Sequence, residues 1–397
     1  MSPAALTLTA MSLSSALGTG LAATLDGLRA GRSGLRQDAG LSAGLPTWIG
    51  PVAELSDVRM PAHLAVWNCR NNRLALLALE QDDLLGALDR AVRRYGRERI
   101  GLFLGTSTSG IAQTEQAYVA AGPDAAPAGL DLPHGQLIHA LTGFVRELLD
   151  LRGPVQAIST ACSSSAKVFA AAQRAIGTGL CDAALVGGVD SLCLTTLLGF
   201  NSLQLVSTRP CRPWDAERDG ISIGEAAGFA LLERTADDQP GIRLRGVGES
   251  SDAHHIATPH PDGAGAARAM RAALHMAGIE PSGVDYLNLH GTSTRSNDQS
   301  ENAALGAVFG ARPPPFSSTK GATGHCLGAA GICEAVISAL ALEHGLLPAN
   351  VNLERPDPEL SDGVLRTPTE RRIAVALSNS FGFGGSNCSL LLARGDA

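Results

Sequence analysis

The stretch Ser159-Thr160-Ala161-Cys162-Ser163-Ser164-Ser165-Ala166 stands where an apolar, strand-like run gives way to the small-residue start of a helix. Backbone N–H groups at a helix N-terminus lack intrahelical partners and carry partial positive charge, so a thiol held there is expected to lose its proton more readily than a free cysteine. The competing reading is inert core filler, because free cysteine is among the most buried residue types. Working outward, short apolar runs at Ile100–Leu104, Ala183–Gly187, Ala227–Glu233, Val284–Leu289 and Arg372–Leu377 alternate with helical patterns such as Leu141–Leu149 and Ala335–Leu342. This alternation predicts an α/β fold with a mixed or parallel sheet covered by helices. The N-terminal region reads as a strand and turn entering an amphipathic helix at Leu21-Ala22-Ala23-Thr24-Leu25.

A chain of 397 residues is long enough for two cores, and 45% hydrophobic with 17% charged residues is ordinary for a soluble protein. The net charge of -7 argues against nucleic acid as a partner. Eight cysteines without paired spacing point to free thiols in a reducing, cytoplasmic setting. Met1–Leu28 lacks the basic start of a signal peptide, and no segment offers the roughly 20 consecutive apolar residues of a membrane span. Glu233–Gly241 is the most polar break near the middle, and it divides the chain into residues 1–240 and 241–397.

Two histidine motifs strengthen the case for Cys162. Leu289-His290-Gly291-Thr292-Ser293-Thr294 ends an alternating run, and Ser318-Thr319-Lys320-Gly321-Ala322-Thr323-Gly324-His325 leads into a second small-residue helix. Either histidine alone is more often structural, but catalytic groups concentrate on loops held by rigid elements. His254, His255 and His260 lie in a loop-like stretch with Pro259 and Pro261 and lack acidic or thiolate companions, so no metal is assigned to them.

With these motifs, the chain resembles the β-ketoacyl-acyl carrier protein synthases of the Cys-His-His type, members of the thiolase-like condensing enzymes. The likeness covers nearly the whole chain and includes Gly105–Gly110, Arg212-Pro213-Trp214-Asp215, Arg218-Asp219-Gly220, Gly224–Gly228 and Asn379-Ser380-Phe381-Gly382-Phe383-Gly384-Gly385-Ser386-Asn387. It implies a five-layered αβαβα fold built from two pseudo-symmetric halves, with Cys162 from the first meeting His290 and His325 from the second. It also implies decarboxylative condensation of an acyl thioester with malonyl-acyl carrier protein, without cofactor or metal.

The chemistry suits these residue types, since a thiolate is both a nucleophile and a good leaving group. Cys162 would take the acyl chain, and neutral His290 and His325 would donate hydrogen bonds to the enolate formed as malonate loses CO2. By resemblance, Lys320 supports His325 and the local charge balance, Glu334 is a supporting carboxylate, and Thr292 and Thr294 bind the pantetheine arm. The acyl oxyanion would rest on the N–H groups of Cys162 and Phe383, and Phe383 would gate the acyl pocket. Asp298 and Glu301 fit the family's acidic follow-on, whereas Arg295 replaces a frequent proline and is expected to alter the tunnel rim. The polarity of Thr106-Ser107-Thr108 leaves room for an unsaturated or aromatic-ended acyl group, as in aryl polyene assembly.

Expected partners are acyl carrier proteins bearing acyl and malonyl phosphopantetheine thioesters, and a second synthase chain in a homodimer or a heterodimer with a chain-length factor. An acidic carrier would need a local basic surface, for which Arg59, Arg70, Arg73, Arg209 and Arg212 are candidates. Two other readings stand beside this one. A non-catalytic chain-length partner usually lacks the nucleophile, which this chain keeps. A thiolase or acyl hydrolase would place a second cysteine in a Cys-x-Gly setting, whereas Cys388 precedes Ser389.

Overall fold

A computed structural model describes residues 6–122, 124–127, 129–235 and 241–395. Residues 236–240, inside the polar break at Glu233–Gly241, lie outside the described residues. The main sheet contains β1 (Leu6–Ser15), β2 (Ile100–Gly105), β3 (Val155–Ile158), β4 (Ala183–Asp190), β5 (Ala226–Arg234), β6 (Ile242–Ser251), β7 (Tyr286–Asn288), β8 (Phe316–Ser317), β9 (Val375–Gly382) and β10 (Ser386–Arg394). Their spatial order is β3-β2-β4-β5-β1-β6-β10-β9-β7-β8, with the short strand Gly18–Thr19 folding back on β1.

Read inward from either edge, this order is the same: third, second, fourth, fifth and first strand of each half. Directions repeat as well. The second strand runs parallel to the third and fourth in both halves, while the fifth is antiparallel to the fourth and the first. The halves join through equivalent strands, β1 against β6, pairing Leu6 with Leu244, Thr7 with Arg243 and Leu8 with Ile242 in antiparallel register. We propose, on this repeated order, that residues 1–240 and 241–397 are the two halves.

Alternation along the strands separates three cores. Leu232, Leu390 and Leu392 face a central core that contains the helices Ser164–Gly177 and Ala330–His344. Leu231 and Phe229 face outward onto the helices Arg70–Leu79, Leu84–Tyr95 and His139–Leu149. Leu391 and Ala393 face outward onto Ala264–Ala277 and Arg295–Phe309. The result is helix, sheet, helix, sheet, helix: the thiolase-like five-layered α/β fold. The run expected at Arg372–Leu377 is shifted to Val375–Gly382, because buried polar residues continue the strand, with Ser389 Oγ donating to Asn379 Oδ1 at 2.8 Å. Among the described residues one helical window, Leu327–His344, is apolar and long enough to cross a membrane, and 89% of it is buried inside the protein.

The two central helices touch so closely that a Cβ on Gly331 would lie 2.4 Å from Ala166 N and 2.8 Å from Ala166 Cβ. Backbone cannot yield as a side-chain tip can. Gly331→Val is therefore expected to destabilise the fold by about 1–3 kcal/mol, the usual cost of overpacking. Denaturant unfolding checks this, and unchanged stability would mean that the helices separate freely.

Candidate active site

Cys162 sits in the turn between β3 and the helix Ser164–Gly177, next to Ala161, whose φ of 52° is left-handed. Ser164 fixes this turn by donating Oγ–H to Ala161 O at 2.6 Å while accepting from Thr160 N at 2.9 Å. His290 follows β7, and its N–H and that of Gly291 donate to the Glu301 carboxylate at 2.9 and 2.8 Å. His325 lies between the short helix Lys320–Thr323 and the long helix Ala330–His344. Its N–H donates to Ser222 O at 2.7 Å, and its carbonyl accepts from Gly224 N at 3.0 Å.

These three segments, distant in sequence, converge. His325 Nε2 is 3.0 Å from Cys162 Sγ, and the two imidazole centroids are 5.4 Å apart at 84°. Lys320, 1% exposed, donates from Nζ to His290 O at 2.5 Å, lies 3.4 Å from His290 Nδ1 and pairs with buried Glu334. An ammonium has no acceptor, so in this contact Nδ1 accepts and the His290 proton sits on Nε2. Burial, then Lys320, holds both imidazoles well below the ordinary histidine range, so they are neutral.

Burial also pushes the Cys162 thiol up to about 11, outweighing the Lys320 charge and the Phe383 N–H that favour its thiolate. This corrects the expectation of a helix-activated thiolate. The helix begins two residues later, at Ser164, and the thiol is only 5% exposed. A neutral thiol beside a neutral imidazole can pass its proton to Nε2 as sulfur attacks.

The cavity at Cys162 is lined by His290, His325, Phe200, Phe383, Thr292 and Thr294 and holds only about 60 Å³. The Phe200 and Phe383 rings meet at 5.4 Å and narrow it. Thr292 and Thr294 hydroxyls lie 2.9 Å apart, and Thr294 also caps the helix Arg295–Phe309. Cys162, His290 and His325 present ligand atoms within 4.8 Å of one another, so they are also the residues that could share a metal ion. His254 and His260 stack at 4.9 Å in a loop outside this group.

Three sequence readings change. The polarity of Thr106-Ser107-Thr108 is spent on Asp190, which accepts from Thr106 Oγ1, Ser107 N, Thr108 N and Thr108 Oγ1 at 2.7 to 2.9 Å, and so says nothing about the acyl group. Arg70 is not a free docking residue: it grips buried Glu225 at 2.9 and 2.6 Å. Arg212 is 7% exposed and is excluded too. Arg59 and Arg209 are exposed, with Arg209 facing Glu217 and Asp219, while half-buried Arg73 donates to Asn68 Oδ1. Sequence reasoning missed Asp190 and Glu225. Their one signal is a carboxylate ending or preceding an apolar strand.

Residues 78–238 match the family model for the beta-ketoacyl synthase N-terminal domain, and residues 242–354 match that for its C-terminal domain. The chain is 42% identical to 3-oxoacyl-[acyl-carrier-protein] synthase 2 of Rhizobium meliloti (strain 1021) over 66% of this chain and 65% of that protein. A chain of the solved complex of a ketosynthase with its chain length factor, from Xenorhabdus doucetiae, is 39% identical, with TM-score 0.90 and 98% of each chain covered. A type II acyl-carrier protein complex with its ketosynthase, bound to the hexaketide, has TM-score 0.85 at 25% identity, covering 98% of this chain and 99% of that one.

Proposed function

The chain belongs to the β-ketoacyl synthase family, and we propose on that premise that it condenses an acyl thioester with malonyl-acyl carrier protein, releasing CO2. The observation that carries this reading is the 3.0 Å contact of Cys162 Sγ with His325 Nε2, with His290 alongside. In the first half-reaction Cys162 attacks the acyl thioester, its proton passing to His325 and from there to the departing carrier thiolate, which leaves as the thiol and returns His325 to its neutral form. The N–H groups of Cys162 and Phe383 receive the oxyanion. In the second, neutral His290 and His325 donate to the malonyl thioester oxygen as CO2 departs, and the carbanion attacks the acyl-Cys162 carbonyl, breaking its C–S bond and expelling the Cys162 thiolate, which takes up a proton to restore the thiol. Both donors are buried, where a hydrogen bond is electrostatically stronger than in water. Phe383, resting on Phe200, must move to admit the chain, so we assign it the gate.

Cys388 is a buried strand residue opposite Ser380 and does not line the cavity, which leaves the thiolase reading without its second cysteine. A purely non-catalytic chain-length role is disfavoured by the assembled Cys162–His325–His290 centre. The finer proposal is a specialised polyene or polyketide-type chain, aryl polyene assembly among them, made with a related synthase-type partner and a carrier protein. The likeness to a ketosynthase and chain length factor complex from Xenorhabdus doucetiae supports the synthase-type partner, and the likeness to a ketosynthase complex bound to a hexaketide supports the carrier protein and a polyketide-type chain. Arg59, Arg73 and Arg209 remain the proposed carrier-docking cations.

The test is incubation with acyl and malonyl carrier proteins, alone and with a candidate partner chain. Intact mass of the acyl adduct on Cys162 and release of a chain longer by two carbons are expected. An adduct without elongation under every pairing would refute condensation.

A pH dependence follows from Glu334, which burial raises to about 7 against the opposing pull of Lys320. Above that pH the carboxylate is charged and pairs with Lys320; below it, protonation leaves Lys320 without its counter-charge. Decarboxylation is expected to fall as pH drops from about 8 to 6, and Glu334→Gln should give a lower, flatter profile. An unchanged slope in that variant would place the titration elsewhere.

A further inference from the structure

Asp190 ends β4 with its side chain fully buried, at 0% exposure. Besides the Thr106, Ser107 and Thr108 donors, its Oδ2 accepts from Gly328 N at 2.6 Å and from Ser107 Oγ. None of these donors is a cation. A carboxylate held this way is an expensive device to bury, and hydrogen bonds to an ionised acceptor are the strong ones. Its task is therefore sought in what the bonds connect.

They connect the loop behind the nucleophile helix to the turn that carries His325. Gly328 stands three residues beyond His325, past Leu327, whose φ of 50° is left-handed and unfavourable for a leucine. A Cβ on Gly328 would lie 2.7 Å from Asp190 Oδ2 and 2.9 Å from Ser107 N, so the contact admits glycine alone. The imidazole of His325 has no fixing bond besides the 3.0 Å contact of Nε2 with the Cys162 thiol, since Nδ1 is buried without a hydrogen-bond partner. Its position consequently depends on its backbone. Ser222 and Gly224 anchor that backbone at His325 itself, and Asp190 anchors the far side of the turn.

We propose that Asp190 is a positioning residue for His325, holding the Leu327–Gly328 turn so that Nε2 stays against the Cys162 thiol. This rests on the condensing role assigned above. Asp190→Asn keeps the shape but replaces one acceptor oxygen with a donor that faces N–H or O–H donors already present. The histidine should lose its register while the substrate tunnel, lined by other residues, stays intact.

The experiment measures condensation kinetics with carrier substrates and, separately, the pH profile of iodoacetamide alkylation at Cys162. In Asp190→Asn, kcat is expected to fall about 10-fold or more with KM within about twofold, a loss of reacting geometry without loss of binding. The alkylation midpoint should also move to lower pH, because one of the two negative charges that oppose the thiolate, Asp190 and Glu334, is gone while Lys320 remains, and the kcat loss should largely vanish when the same substitution is made in His325→Ala, the residue through which Asp190 acts. Alkylation needs no thioester, so it reports on Cys162 and His325 even if the chain proves not to condense. A kcat within twofold of the parent, or an unmoved alkylation midpoint, overturns the proposal. If Asp190→Asn fails to fold, Thr106→Val, which removes one donor to Asp190 and the acceptor of Ser109 N but keeps the Asp190 charge, should lower kcat in smaller measure with the alkylation midpoint unmoved. Lower thermal stability there without a fall in kcat overturns it as well.

Discussion

Cys162→Ala is expected to abolish acyl-enzyme formation and to lower condensation by about 10⁴-fold or more, the scale on which enzymes lose a covalent nucleophile. The other seven cysteines are buried free thiols, and none of them lines the cavity with His290 and His325. Intact-protein mass after incubation with acyl carrier protein reads the first step directly, and an adduct persisting on the variant would sink the assignment. Cys162→Gln separates the steps further. It removes the nucleophile but leaves both imidazoles, so malonyl decarboxylation should survive while carbon–carbon bond formation does not.

Replacing either histidine by alanine should suppress malonyl decarboxylation by about 10²-fold or more, the usual loss for one oxyanion donor in a dry site. The two variants differ in the first half-reaction. His290 reaches Lys320 through Nδ1 and its carbonyl, whereas the thiol's hydrogen bond is to His325, so His290→Ala should leave acyl transfer to Cys162 measurable. His325 receives the thiol proton at 3.0 Å, and the thiol is pushed up to about 11, so His325→Ala should slow acylation as well. Radiolabelled CO2 release from malonyl carrier protein and mass of the acyl adduct score the two steps independently. Normal decarboxylation in either variant would remove that histidine from the proposed mechanism.

These expectations show where sequence and structure divide the work. The chemistry-bearing residues were legible because each sits at an element end flanked by small residues: Cys162 before a helix, His290 after a strand, His325 before a second helix. Strand and helix periodicity likewise announced an α/β fold, since alternation on β5 and β10 follows from burying both faces of the sheet. Short-range patterns of this kind are fixed by local backbone geometry, and sequence carries them directly.

What sequence could not decide was the balance of long-range terms. Whether Cys162 is a thiolate depends on burial against the pull of Lys320 from 158 positions away, and only the folded packing sets that sum. Whether Thr106-Ser107-Thr108 faces an acyl chain or a buried carboxylate depends on Asp190 arriving from β4. Arg70 reads as a surface cation until Glu225 is brought beneath it. By itself the sequence determined the fold class and the identity of the reacting groups, which are local properties of the chain. The tertiary structure alone decided protonation, pairing and the repeated strand order, because those arise from contacts between segments that the two halves bring together.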